Sequence, residues 1–130
     1  YPRARLIILP SMMDTVGYSV IEAMYFGAVP VVSDHFAMPE IVGDAGAVVK
    51  TPNRLWKDDG THNEEFRKKL DEGPYEELVE RLVDVVHVLL DDDDYWGTLS
   101  VKASLRIRTG PLSVEERNRK LKQIYMKALE

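Results

Sequence analysis

The sequence predicts an α/β fold, and two apolar runs with a helical segment between them are the basis for this prediction. Residues 4–10, "ARLIILP", form a continuous apolar run that a proline stops. This pattern is typical of a parallel strand covered on both faces. A second such run, "AVPVVSD" at 28–34, follows a segment of helical length. A strand, a helix and a strand within about 30 residues make a right-handed βαβ unit, so we expect a Rossmann-like three-layer α/β/α arrangement with a parallel sheet.

The elements of this unit have recognisable boundaries. The helix is expected over 18–26, because Gly17 precedes the apolar segment and Gly27 ends it. Pro30 has no N–H to donate, so it is expected near the start of the second strand. "MPEIVGD" predicts one helical turn with Pro39 at its start, and "AGAVVKT" predicts a third short strand.

The remainder of the chain predicts a surface segment followed by helices. Residues 52–74 are polar and rich in helix breakers, and we expect a surface excursion with a short helix over 63–70. The next segment has the apolar spacing of an amphipathic helix. Its inward-facing residues are predicted to be Leu78, Leu82, Val85, Val86 and Leu89. The aspartates at 91–94 are candidate N-caps for a further helix that ends near Gly110. Ser113 and Glu116 predict a capping box that opens a last helix within 111–130.

Composition narrows the class of protein. The 130 residues fit a single domain. Of these residues 45% are apolar and 30% are charged, which is typical of a globular protein. The net charge of −5 argues against nucleic acid as a partner. The absence of cysteine excludes disulfides and thiolate chemistry and is compatible with a cytoplasmic location. The sequence contains no recognisable signal peptide or transmembrane run, and it enters a strand almost directly after Tyr1. We therefore expect it to be a piece of a longer protein.

The loop between the first strand and the first helix is the first candidate site. Ligands of parallel α/β sheets gather at the carboxyl ends of the strands, beside the starts of the following helices. Gly17 allows close approach of the backbone, and the N–H groups of Gly17, Tyr18 and Ser19 are expected to point at a ligand. Together with the helix dipole, this predicts an anion site suited to phosphate.

Glu22 is the one carboxylate in the apolar helical segment. Burying an unpaired carboxylate is costly, so Glu22 must either reach solvent or contact a ligand. It lies about one turn beyond the helix start. We expect it to accept hydrogen bonds from hydroxyls, such as those of a ribose, on a ligand whose phosphates lie at the helix start.

Residues 8–49 carry several spaced motifs in a fixed order. They comprise two acidic residues separated by seven others, an "EAM" helix, a glycine, a "PVV" strand and a "PE-I-V" turn. The segment resembles the C-terminal, donor-binding domain of GT-B glycosyltransferases of the group 1, family 4 type. The matching residues are Asp14 and Glu22 for the acidic pair, 22–24 for the helix, Gly27, 30–32 for the strand and 39–42 for the turn.

The resemblance implies a function and a site. It implies retaining transfer of a glycosyl group from a nucleoside diphosphate sugar, linked to UDP, GDP or ADP, to an acceptor hydroxyl. Asp14 and Glu22 would be the catalytic pair, with Glu22 on the ribose and Asp14 on the donor sugar. The backbone of Val16, Gly17, Tyr18 and Ser19 would hold the diphosphate. No cofactor or metal is expected, because helix N–H groups and basic residues neutralise the leaving diphosphate.

The resemblance also implies missing parts. The N-terminal acceptor-binding domain and the basic residues that contact the diphosphate would precede Tyr1, so we expect the chain to be inactive by itself. The full-length protein is expected in the cytoplasm, and peripheral association with a membrane is compatible with that expectation. Asp14 stands where the family usually has Glu, and "HFA" at 35–37 stands where it often has a glycine pair.

Three further residues are candidates for the site. Ser11 either contacts the nucleotide or ends the strand, and Glu40 either contacts the donor or stabilises the first turn of its helix. His35 is the one histidine expected to face the ligand, at the carboxyl end of a strand. The three histidines of the chain lack the spacing of metal ligands.

Two alternative functions remain open at the level of sequence. A sugar-nucleotide epimerase of related architecture would isomerise the sugar instead of transferring it, and the acidic pair followed by "EAM" favours transfer. A nucleotide-binding or interaction module without catalysis is the other alternative, and Asp14 and the "HFA" segment are the features that favour it.

Overall fold

The computed structural model describes residues 1–51, 53–57 and 59–129. Within these ranges the chain forms three strands and six helices. In chain order they are β1 (Leu6–Leu9), α1 (Tyr18–Tyr25), β2 (Val29–Ser33), α2 (Met38–Val42), β3 (Ala47–Val49), α3 (Glu64–Glu72), α4 (Glu76–Asp91), α5 (Asp93–Arg108) and α6 (Val114–Ala128). None of the helices in the described ranges is both long enough and apolar enough to cross a membrane.

The strands form one parallel sheet in the order β1-β2-β3. Ile7 is paired with Pro30, and Val32 with Val48, so the carboxyl ends of all three strands meet at one edge. Pro30 is the second residue of β2, as expected for a residue that cannot donate to the ladder. Gly46 approaches Pro30 so closely that a Cβ at position 46 would collide with the Pro30 carbonyl oxygen.

Helices cover both faces of this sheet, which confirms the predicted α/β architecture. On one face Val32 packs in a cluster with residues of α1, α2 and α5. On the other face Val29 and Val31 pack with α4 and with Leu99 of α5. All five residues of β2 are buried, because it is the central strand and receives helices on both sides.

Helix α5 binds the carboxyl ends of α1 and α2, where the last carbonyl groups of a helix lack intrahelical partners. Arg106 donates from Nε to the Ile41 carbonyl at 2.8 Å and from Nη2 to the Glu40 carbonyl at 2.6 Å. Arg108 donates to the Tyr25 carbonyl at 3.0 Å and stacks over the Tyr25 ring. These contacts fix α1 and α2, the two helices that border the candidate site.

Several predicted boundaries need correction. The short helix expected over 63–70 is α3, which runs to Glu72, and Asn63 is its N-cap with Oδ1 accepting from the Phe66 amide. The surface excursion at 52–74 is anchored by two buried side chains, Leu55 and Phe66, although Pro52 and Asp58 lie outside the described residues. Burial of these apolar groups outweighs the polar character of the segment.

The predicted capping box at the start of α6 is half formed. Ser113 Oγ accepts from the Glu116 amide at 3.2 Å, as expected. The Ser113 amide donates to the Gly110 carbonyl, so it is not available to Glu116. The Glu116 carboxylate instead forms two hydrogen bonds with Arg119, which lower the pKa of Glu116.

Candidate functional site

The loop between β1 and α1 is held by two serines. Ser11 Oγ accepts from the amides of Met13 and Asp14, at 3.3 and 3.1 Å. The buried Ser33, at the end of β2, donates its hydroxyl to the Ser11 carbonyl. Ser11 therefore fixes the turn that follows β1, and the loop is tied to the neighbouring strand.

The Asp14 carboxylate accepts hydrogen bonds from backbone amides of the same loop. Its Oδ1 accepts from the Val16 amide at 3.1 Å and from the Gly17 amide at 2.7 Å. The expectation that the Gly17 amide is free for a ligand is therefore wrong in this conformation, because the short Asp14 side chain reaches it first. The same holds for Val16, because its amide also donates to Asp14 and its side chain packs against the core.

Gly17 is required by both its backbone angles and its surroundings. It has φ 61° and ψ 56°, in the left-handed region that other residues adopt at a cost. A Cβ at position 17 would collide with the Cε of Met38 and lie 3.0 Å from its Sδ. Glycine at this position lets the chain turn sharply from the Asp14 loop into α1 while α2 packs against it.

Beyond Gly17, two amides at the start of α1 are available. Within the described ranges, no acceptor is found for the amides of Tyr18 and Ser19, and no side chain caps the helix. The Tyr18 side chain is 71% exposed. The positive end of the helix dipole coincides with these two amides, so two of the four residues predicted to hold the diphosphate, Tyr18 and Ser19, have an amide available to an anion.

Glu22 lies on the exposed side of α1, one turn after Tyr18. The buried residues of the helix, Val20, Ala23 and Met24, lie on its other side. No hydrogen bond or ion pair to the Glu22 carboxylate occurs among the described residues. The charge in the apolar segment is thus explained: the carboxylate faces solvent, on the helix that carries the two available amides.

The two remaining predicted site residues are His35, just after the carboxyl end of β2, and Glu40 in α2. His35 is buried, and Glu40 is exposed in the first turn of α2. Within the described ranges the Glu40 carboxylate forms no hydrogen bond or ion pair, whereas the Glu40 carbonyl accepts from Arg106. Burial lowers the pKa of His35; the nearby Asp34 opposes this and Arg54 adds to it.

The family of this chain follows from its first 72 residues. The family model of the group 1 glycosyl transferases matches residues 1–72, which is more than half of the chain and extends from β1 to α3. The chain belongs to the group 1 glycosyl transferases. No curated protein and no solved structure matched it. The family match supports glycosyl transfer, and it gives no support to the epimerase or to the module without catalysis.

Sequence reasoning missed a contact of this transferase between the residues that follow β2 and those that follow β3. Asp34 Oδ1 accepts from the Thr51 amide and hydroxyl. Burial would raise the pKa of Asp34, but the two Thr51 hydrogen bonds, His35 and Arg54 outweigh it, so the pKa is lowered. No local pattern links residues 17 positions apart, and the pairing of Ser33 with Val49 is what brings them together.

Metal ligation has no support in the described ranges. No group of three or more His, Asp or Glu side chains there is placed to hold a metal ion.

Proposed function

We propose that this chain is the donor-binding, C-terminal domain of a retaining GT-B glycosyltransferase of family 4. It binds a nucleoside diphosphate sugar and presents it for transfer of the glycosyl group to an acceptor hydroxyl. The observation that carries the proposal is the exposed Glu22 carboxylate on the helix whose first amides, those of Tyr18 and Ser19, have no acceptor in the described ranges. This group of polar atoms borders the carboxyl edge of a parallel sheet, where such folds bind nucleotides.

The diphosphate is assigned to the start of α1. The amides of Tyr18 and Ser19 donate to its oxygens, and the helix dipole stabilises its negative charge. Glu22 accepts hydrogen bonds from the ribose hydroxyls, about 6 Å further along the helix axis than Tyr18. Its separation from the helix start matches the separation of a ribose from its phosphates.

Asp14 is assigned to the donor sugar through its second oxygen. Oδ1 already accepts from two backbone amides, and Oδ2 has no donor among the described residues. The same side chain therefore fixes the loop with one oxygen and faces sugar hydroxyls with the other. Because both loop amides donate to the same oxygen, the second oxygen of the carboxylate remains available.

During transfer, the bond between the anomeric carbon and the donor phosphate oxygen breaks, and the electron pair stays with the diphosphate. The acceptor oxygen replaces it on the same face of the sugar and loses its proton to the surrounding solution. Amides aimed at the leaving group stabilise the charge that develops there, and we expect no metal or cofactor. The acceptor is held by a separate N-terminal domain, and the whole protein acts in the cytoplasm, free or at a membrane surface.

Calorimetry with UDP-, GDP- and ADP-sugars tests this proposal on the protein in its natural length. Glu22→Gln is expected to weaken binding of the preferred donor about tenfold, since it removes charge-assisted hydrogen bonds to the ribose. Glu80→Gln, an exposed change on α4, is the matched control and should leave donor binding unchanged. Absence of binding for all three donors, or equal affinity in Glu22→Gln, contradicts the proposal.

A second pair of variants separates the two roles of Asp14. Asp14→Asn keeps an oxygen for the loop amides, so it should fold normally but lose glycosyl transfer. Asp14→Ala also removes the acceptor of two amides and should lower stability by about 1–3 kcal/mol. Full transfer activity in Asp14→Asn would show that Asp14 has a structural role alone and does not contact the donor sugar in transfer.

A further inference from the structure

A cavity of about 200 Å³ lies where the segment after β3 folds over the carboxyl end of β2. It is lined by Asp34, His35, Phe36, Arg54, Trp56 and Lys57. Three of these residues directly follow β2, and the other three belong to the excursion anchored by Leu55. The cavity therefore lies at the same edge of the sheet as the start of α1, and the excursion forms one of its walls.

Hydrogen-bond donors outnumber acceptors in this cavity. The exposed side chains of Arg54 and Lys57 have no ion pair or hydrogen bond in the part of the chain that the structure describes. The Trp56 Nε1–H, which is buried, also has no acceptor there. The one carboxylate, Asp34, already accepts two bonds from Thr51 through Oδ1. The two positive charges of Arg54 and Lys57 exceed the one negative charge of Asp34, and this excess, together with the surplus of donors, fits an anionic group.

His35 forms a buried part of the same wall. It is 5% exposed, and neither Nδ1 nor Nε2 has a hydrogen-bond partner among the described residues; the nearest carboxylate oxygen, Asp34 Oδ1, lies 3.6 Å from Nδ1. A buried polar group without a hydrogen-bond partner destabilises the folded state, because it has lost its contacts with water. The next residue, Phe36, has φ 49°, an unfavourable angle for a side-chain-bearing residue. Such costs are concentrated at ligand sites, where a bound group supplies the missing partner.

We propose that this cavity binds a phosphate or carboxylate group of a substrate of the transferase, through Arg54 and Lys57. The planar guanidinium of Arg54 suits two oxygens of the anion, and the Lys57 ammonium adds a point charge. This inference rests on the proposed function and adds an anion subsite outside the start of α1. Two sources of the anion fit this chemistry: the donor diphosphate, and an acidic group carried by the acceptor.

Titration of the natural-length protein with inorganic phosphate, at constant ionic strength and without donor, tests the cavity. The imidazole NMR signals of His35, assigned with His35→Gln, are the readout. We expect a saturable shift of these signals, with affinity reduced about tenfold in Arg54→Gln and in Lys57→Gln. Arg3→Gln and Lys122→Gln are matched controls, because both residues are exposed and lie outside the cavity. Circular dichroism verifies that all four variants fold.

The outcomes separate this inference from the proposed function. No saturable shift, or the same affinity in Arg54→Gln as in the controls, overturns the anion subsite even if Glu22→Gln still weakens donor binding. Glu22→Gln itself should leave phosphate binding at His35 unchanged. Given a saturable shift, competition by nucleoside diphosphate assigns the cavity to the donor diphosphate. Simultaneous binding of nucleoside diphosphate and phosphate assigns the cavity to an acidic acceptor.

Discussion

Asp34 joins the carboxyl end of β2 to the residues that follow β3 through two hydrogen bonds to Thr51. Oδ1 accepts from the Thr51 amide at 3.0 Å and from its hydroxyl at 2.7 Å. Thr51 is buried, so loss of this acceptor would leave both of its donors without a partner. The contact holds the edge of the sheet on which the cavity and the proposed donor site both depend.

The free energy of unfolding should fall at acidic pH as Asp34 becomes protonated. Its pKa in the folded protein is below the ordinary value of 3.8, so the folded state binds fewer protons than the unfolded state. The stabilisation is complete above that value and is lost as pH falls through the lower folded pKa. Urea unfolding of Asp34→Asn should show a smaller loss of stability over this acidic range than the natural protein. An identical pH dependence in both proteins would contradict the assignment.

The free energy of unfolding should also fall below neutral pH, because the buried His35 disfavours protonation in the folded state. Its pKa in the folded protein is below the ordinary 6.5, because burial disfavours the imidazolium. The unfolded state therefore binds the proton first, and stability decreases as pH falls from about 6.5 toward the folded pKa. His35→Gln should remove this decrease. His87→Gln, at an exposed position on α4, is the control and should retain it.

Gly17→Ala should destabilise the protein, whereas Gly97→Ala should stabilise it. The left-handed angle at position 17 costs alanine about 1–2 kcal/mol, and contact with Met38 adds to that cost. Gly97 lies inside α5 with open space around its Cα, so alanine there should gain about 0.5–1 kcal/mol. Chemical denaturation measures both free energies of unfolding. Equal effects of the two substitutions would show that the Gly17 geometry is not maintained in solution.

Arg106→Gln should cost more stability than Lys102→Gln, although both residues lie on α5. Arg106 donates to two carbonyl groups at the end of α2, and its loss should cost about 1–3 kcal/mol. Lys102 forms an exposed ion pair with Asp44, which solvent screens, so its loss should have little effect on stability. Thermal and urea unfolding compare the two variants. A larger loss in Lys102→Gln would contradict the role assigned to Arg106.

The sequence predicted the order of the secondary-structure elements correctly, because their signals are local. Apolar runs, glycines and prolines indicated β1, α1, β2, α2 and β3, and apolar spacing indicated α4. The predicted inward residues of α4 include Leu78 and Leu89, which are buried. The family resemblance likewise came from motifs at fixed spacing along residues 8–49. These features depend on neighbours in sequence and are therefore readable without tertiary structure.

The tertiary structure decided which polar groups are already paired. It assigned Oδ1 of Asp14 to the Val16 and Gly17 amides and left the Glu22 carboxylate facing solvent. It also brought His35 and Arg54 to one cavity, which no spacing in the sequence indicates. Hydrogen-bond partners and cavities depend on sheet register and on how a loop packs, so they are set by contacts between distant residues. The local pattern determined the scaffold, and those distant contacts determined which atoms remain available to a ligand.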